Sequence, residues 1–271
     1  MNLDRCSALI TGASAGIGRE FAQQLASRAR SMILVARREE KLVELRDQLL
    51  QQQPNLRVHI RQVDLAEPVQ LKQLLELLDR EKIDVDLLIN NAGLGDSGPF
   101  ATSDPGRNEQ ILLVNILALT SLTRHLLPKM IARKHGGVLN VSSSAGFLPI
   151  PEFAVYAATK AYVTSLSEAL RAELHGTGVS VCTLCPGPVR TEFQEVAKRP
   201  SAQAESGPDF VYVPVEKVVR DALVALEANR PLVIPGLAMK IGMCLVRLTP
   251  MSMLRWASRF RMNAPGRVKG H

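Results

Sequence analysis

Carboxylates are absent from the end of this chain: no Asp or Glu follows Glu227, while eight Lys and Arg do. The net charge of +7 therefore belongs to the tail, and the remainder carries 25 bases against 26 acids. A near-neutral body argues against a nucleic-acid-binding core, and no nucleic-acid partner is expected. Cysteine is scarce too: Cys6, Cys182, Cys185 and Cys244 are too few and too scattered for a disulfide scaffold. Cys182 and Cys185 form a C-x-x-C, which in other settings marks a metal or redox pair. Here they lie in the apolar run from Val179, where residues three apart on a strand face opposite ways. The strand reading wins, and a reducing cytoplasm is the expected location. The five histidines, His59, His125, His135, His175 and His271, show no ligand spacing, so no metal is expected.

Long apolar runs are missing as well. Met1–Arg5 leads straight into the strand-like Cys6–Ile10, without the apolar stretch of a signal peptide. No stretch offers about 20 uncharged apolar residues for a transmembrane helix. The nearest, Leu232–Leu254, is broken by Lys240, Arg247 and two prolines. Neither a flexible linker nor an internal repeat occurs, so residues 1–271 are expected to form one domain.

What is present is alternation. Short apolar strands are predicted at Ala8–Ile10, Met32–Ala36, Val58–Val63, Val85–Asn90, Gly137–Ser142, Ser180–Leu184 and Leu232–Ile234. Helical patterns fill the gaps: Gly18–Ala29, Glu39–Gln52, Pro68–Arg80, Asn108–Arg133, Phe153–His175 and Val215–Ala228. Continuous apolar strands alternating with helices predict an α/β fold, a doubly wound parallel sheet of about seven strands covered on both faces. A helical extension follows at the C-terminus.

The first strand runs into Thr11-Gly12-Ala13-Ser14-Ala15-Gly16-Ile17-Gly18, and a helix follows. Glycines at such a turn let the backbone bend tightly and approach a pyrophosphate held at the positive helix end. This makes Gly12, Ser14, Gly16, Ile17 and Gly18 candidate dinucleotide contacts, although a plain strand-to-helix turn has similar composition. At the end of the second strand an NAD site places a carboxylate for the ribose 2′-hydroxyl. This chain has Ala36 there, followed by Arg37 and Arg38, which would attract a 2′-phosphate. Missing acid and added base both point to NADP(H), with arginines merely solvated at a helix start as the bland alternative. Arg19 beside the glycine turn is a further candidate base. Asp64, after the third strand, is placed to accept from the adenine amino group. Asn91, Ala92 and Gly93 close the fourth strand, at the edge where ligands of such sheets bind.

Tyr156 and Lys160 lie four apart, on one side of a predicted helix. A free phenol has a pKa of about 10. A cation one turn away, together with the positive ring of an oxidised nicotinamide, is expected to lower it into the range useful for acid–base catalysis. Thr11–Gly18, Asn90–Gly93, Asn115, Ser143, Tyr156-x-x-x-Lys160 and Pro186-Gly187 together resemble the short-chain dehydrogenase/reductase family in its single-domain form, over roughly residues 6 to 236. The resemblance implies that Tyr156 exchanges a proton with the substrate oxygen. Lys160 would hold the nicotinamide ribose, and Ser143, or a neighbour in Ser142–Ser144, would orient the carbonyl. Asn115 would support a water relay, although a polar residue in so apolar a run also wants satisfied core hydrogen bonds. Pro186, Gly187, Val189 and Thr191 resemble the segment that holds the carboxamide. The implied activity is hydride transfer between NADP(H) and a carbonyl or alcohol. The alternative is a redox-sensing module that binds NADP(H) without turnover. By the same resemblance a homodimer or homotetramer is expected, through the helices at Asn108–Arg133 and Phe153–His175.

Residues 192–214 are polar, carry Pro200 and Pro208, and are expected to form a substrate lid. Residues 237–271 form a basic, amphipathic extension, with Leu237, Ile241, Leu245 and Leu248 on one stripe and Trp256 and Phe260 beyond. Three readings stay open: a cover for an apolar pocket, a segment on an anionic membrane, or packing against another subunit. A small apolar ketone or aldehyde is the expected substrate.

Overall fold

The computed structural model describes residues 1–197, 199 and 212–255. Seven strands form one sheet: β1 (Ser7–Thr11), β2 (Ser31–Ala36), β3 (Arg57–Gln62), β4 (Leu87–Asn90), β5 (Gly136–Val141), β6 (Val179–Leu184) and β7 (Leu232–Val233). Every pair is parallel. Their order is β3-β2-β1-β4-β5-β6-β7, so the chain winds outward from β1 and then restarts at β4 on its other side. That switch between β1 and β4 opens a crevice at the carboxyl ends of the strands.

Alternation along a strand builds two cores. Ala8 and Ile10 of β1 point into a layer covered by α1 (Gly16–Leu25), α2 (Glu39–Gln52) and the helix Val215–Glu227, here α8. Leu9 points into the opposite layer, under α3 (Pro68–Arg80) and the α4–α5 helix (Pro105–Leu112 and Leu119–Ala132). α6 (Ala154–Glu173) completes that layer through Leu170. β3 departs furthest from continuous burial, because it is an edge strand whose Arg57, His59 and Arg61 alternate with Val58 and Ile60. Charges on an edge discourage pairing with another sheet.

The predicted elements are found within a few residues of their expected bounds, with two differences. Among the described residues the longest apolar helix is Pro105–Ala132, not Leu232–Leu254, and by length and composition it is long enough to cross a bilayer. Its Ile111, Val114, Leu122, Leu126 and Met130 are instead buried in the core beneath the sheet. The second difference is a π-helical turn, Leu113–Ala118, inside that helix. Such turns mark functional positions in many helices; this one carries Asn115.

Candidate active site

The glycine turn folds as a ligand cradle. Gly12 has φ +65°, a conformation that disfavours a side chain, and a Cβ there would stand 2.9 Å from the Ala92 backbone. The first turn of α1 has no side-chain cap and no acidic residue, so its N–H groups are left for an anion. Gly18 does not line the cavity. A Cβ on it would lie 2.2 Å from the Gly12 carbonyl oxygen, so its task is close packing of helix on turn.

From this cradle a cavity of about 1070 Å³ extends past the sheet edge. Its wall includes Gly12, Ser14, Gly16 and Ile17, then Arg37, Arg38, Asp64, Asn91, Ala92 and Gly93, and finally Pro186, Gly187, Val189 and Thr191. Arg38 donates to Ser14 Oγ at 3.3 Å and pairs with Glu192 at 2.8 Å. Arg37 lies 3.8 Å from Asp64. Two guanidinium groups, an uncapped helix and no carboxylate at Ala36 fit a dinucleotide with an extra phosphate. Arg19 is elsewhere: it donates to Glu44 and Gln48 on α2 and is no part of this wall. Asn91 lines the cavity, but its amide is turned back to donate to the Thr11 and Gly12 carbonyls at 2.9 and 3.2 Å. Thr11, which sequence reasoning missed, accepts from the Asn91 and Ala92 backbone at 3.0 Å and clasps β1 to the β4 loop.

At the other end of the same cavity stand Ser143, Tyr156 and Lys160. Tyr156 and Lys160 are both buried on one side of α6, and the Lys160 Nζ lies 5.6 Å from the phenol ring centre. That Nζ donates to the Val141 carbonyl at 2.8 Å. Burial pushes the Tyr156 pKa up to about 12, partly offset by the Ser143 hydroxyl, and pushes the Lys160 pKa down to about 8. The expected lowering counted on the positive ring of an oxidised nicotinamide as well as on Lys160; the protein's own groups by themselves push the phenol the other way. Loss of hydration around the ring outweighs the hydrogen bond from Ser143. Among the three serines, Ser142 is tied to the Lys160 carbonyl and to Thr164, both at 2.8 Å. Ser143 is the one whose hydroxyl meets Tyr156.

Asn115 stands behind this wall rather than in it. Its Oδ1 accepts from the Leu94 N–H at 2.8 Å, and its Nδ2 donates to the Leu94 carbonyl and the Thr159 hydroxyl at 3.0 and 2.9 Å. Thr159 also donates to the Tyr156 carbonyl at 2.7 Å. Asn115 thus joins the β4 loop to α6. Thr159 was not singled out in the sequence, although its place three residues after Tyr156 puts it on the same helical side.

Two phenyl groups flank the phenol: Phe153 at 4.5 Å and Phe193 at 5.4 Å between ring centres. Helical spacing could have found Phe153; nothing local announces Phe193. Phe193 belongs to α7 (Glu192–Ala197), the first part of the expected lid. Most of that segment, residues 198, 200 and 201–211, lies outside the described residues. α7 is clasped to the loop after β4, because Gly95 leaves room for Phe193 where a Cβ would stand 2.9 Å from Cζ. The Ser97 N–H donates to the Ala197 carbonyl at 2.9 Å, and Arg199 forms an ion pair with Asp96. Cys182 and Cys185 are free, buried thiols, each pushed up to about 12 by burial.

A glycine cradle joined by one cavity to a buried Tyr/Lys pair, at the switch of a doubly wound sheet, defines a nucleotide-dependent oxidoreductase class. The family pattern described as short chain dehydrogenase matches residues 7–201, and the chain belongs to that family. It is 38% identical over 209 residues to the very-long-chain 3-oxooacyl-coA reductase let-767 of Caenorhabditis briggsae, covering 75% of this chain and 65% of that protein. Over 190 residues it is 36% identical to the NADP-dependent 3-hydroxy acid dehydrogenase YdfG of Escherichia coli K12, covering 69% and 75% of the two chains. A short-chain dehydrogenase of Sphingobium yanoikuyae, solved in complex with NADPH, superposes with a TM-score of 0.76 at 29% identity over 98% of each chain.

Proposed function

We propose that this chain is an NADP(H)-dependent reductase of apolar ketones or aldehydes, with Tyr156 as the proton donor. The observation that carries this reading is the single cavity holding both the glycine cradle and the Tyr156–Lys160 pair. Gly12, Gly16 and the α1 N-terminus would hold the pyrophosphate, and Arg37 and Arg38 the 2′-phosphate. Val189 and Thr191 would hold the carboxamide. When bound, the cofactor supplies the hydride received by the carbonyl carbon. Tyr156, protonated at neutral pH, gives its proton to the carbonyl oxygen, so that the carbonyl leaves as an alcohol. Ser143 donates a hydrogen bond to that oxygen as negative charge grows on it. Lys160 holds a positive charge beside the phenolate that results. Asn115, through Leu94 and Thr159, keeps loop and helix in register.

Phe153, Phe193, Leu94 and Ile150 line the substrate end, which suits a hydrocarbon-bearing carbonyl. One named relative is a 3-oxoacyl-CoA reductase and the other a 3-hydroxy acid dehydrogenase, so a 3-oxoacyl ester is the first ketone to try. The proposed lid spans residues 192–214. Leu112, Leu117, Ile131 and Tyr162 leave an exposed apolar face on α4–α6, and self-association there as a homodimer or homotetramer is part of the proposal. The protein is proposed to act in the cytoplasm.

NADPH oxidation against a panel of apolar aldehydes, ketones, 3-oxoacyl esters and steroids, with NADH in parallel, tests the activity. Tyr156→Phe is expected to abolish turnover while cofactor binding persists. Normal turnover by that variant removes the assigned role, and cofactor binding without turnover of any panel member by the parent favours a binding module.

A further inference from the structure

The helix α9 (Leu237–Leu248) follows β7 and is apolar nearly all round, a composition proper to a buried helix, yet none of its residues is buried. Its inner side, Met239, Met243 and Val246, rests half-buried on the body of the protein. Met239 presses on Gly187, where a Cβ would stand 2.5 Å from the thioether methyl, and Arg247 lies over the Phe147 ring. The opposite side carries Leu237, Ile241, Leu245 and Leu248, which are 53 to 77% exposed. Met251 and Met253, 46 and 58% exposed, extend the apolar surface past Pro250. Helical spacing sets Lys240 and Arg247, seven residues apart, along one flank of the stripe.

We propose that this outer face of α9 docks on an anionic bilayer, beside the cavity into which an apolar carbonyl substrate partitions; the second half of the statement rests on the function proposed above. Charge selects the occupant. From residue 228 to the end the sequence has eight Lys and Arg and no carboxylate, which suits a surface of anionic headgroups. A second copy across a twofold axis would set Lys240 and Arg247 against their own counterparts, with no acid in the helix to offset them. The location adds the functional consequence. Gly187 and Ser144 line the cavity, and α9 packs on Gly187 and on the turn Ser144–Phe147. A bilayer against the stripe is then about one helix diameter, roughly 10 Å, from the cavity wall. A lipid-dissolved ketone has a short path to Tyr156.

Flotation of the full chain with phosphatidylglycerol vesicles, compared with phosphatidylcholine vesicles, tests this together with the double variant Ile241→Asp/Leu245→Asp. Both substituted residues are exposed and lie outside the cavity wall, so folding and turnover of a water-soluble ketone are expected to be unchanged. The parent is expected to float with the anionic vesicles only and to be released by high salt; the variant is expected to lose about tenfold or more of this binding. Turnover of a long-chain ketone presented in anionic vesicles should fall in parallel. The proposal is overturned if the parent stays with soluble protein, if the variant floats like the parent, or if the variant turns a dimer into a monomer. Flotation without turnover of any carbonyl sinks the catalytic reading and leaves the docking surface standing.

Discussion

The surroundings of Tyr156 and the outer face of α9 are both apolar, yet they meet water in opposite ways. Around Tyr156 the apolar wall encloses polar groups, and nearly every one is matched: Lys160 by Val141, Asn115 by Leu94 and Thr159, Ser142 by Thr164. On α9 the apolar groups are presented to solvent, with cations alongside and no acid in the helix. A closed site raises the stakes of each polar group, because an unpaired one has no water to fall back on. An open apolar face does not stabilise the fold, and its side chains are free to serve something outside it.

The largest break in this contrast is Tyr156→Phe. It keeps the ring between Phe153 and Phe193 and removes only the hydroxyl, so turnover should drop by about 10²–10⁴-fold. NADPH binding, followed by fluorescence titration, should be unaltered. Next comes Asn115→Leu, which strips both Leu94 backbone groups and Thr159 of buried partners. About 3 kcal/mol of stability should go, seen by urea unfolding; a parent-like midpoint would show that the π turn does not need the amide. Arg38→Ala should raise KM for NADPH about tenfold or more and leave NADH nearly unchanged. Equal losses with the two cofactors would detach Arg38 from the 2′-phosphate.

Protonation sharpens the comparison further. With the Lys160 pKa at about 8 and the Tyr156 pKa at about 12, kcat/KM for reduction should fall as pH rises through about 8, since the ammonium is lost while the phenol is still intact. The folded pKa of Lys160 lies below its ordinary value, so the cost of burying that charge is felt in full below about pH 8. It fades above that, and stability from this group rises with pH until the unfolded lysine also titrates. A flat rate profile through pH 9 would separate Lys160 from the rate. The smallest effect belongs to α9: Ile241→Asp/Leu245→Asp should change unfolding free energy by no more than about 0.5 kcal/mol. A larger loss would mean the stripe is covered within the protein.

Local patterns carried much of the fold. The bounds of α2 and α3 and the place of all seven strands followed from apolar spacing and from turn residues. That Gly12, Tyr156 and Lys160 would meet at one cavity was legible because the glycine turn and the helical pair depend on short separations along the chain. Other features were not. Arg19 stood as close to the glycine turn as any cofactor base would, yet Glu44 and Gln48 of α2 claim it. Phe193 reaches Tyr156 across 37 positions of sequence, and its entry depends on a missing side chain at Gly95. Asn91 and Gly18 keep places at the site by holding its backbone together, which no spacing rule separates from contact with a ligand.

Periodicity and chain order by themselves determined a doubly wound parallel sheet, a glycine turn before the first helix and a tyrosine one turn from a lysine. These rest on contacts between near neighbours in the chain, where residue type and separation suffice. Tertiary structure alone decided how far water is kept from Tyr156 and Lys160, which arginines face the cavity and which side of α9 is left bare. Each of those depends on how much water reaches a group and on partners brought from distant elements, and neither quantity exists until the chain has folded.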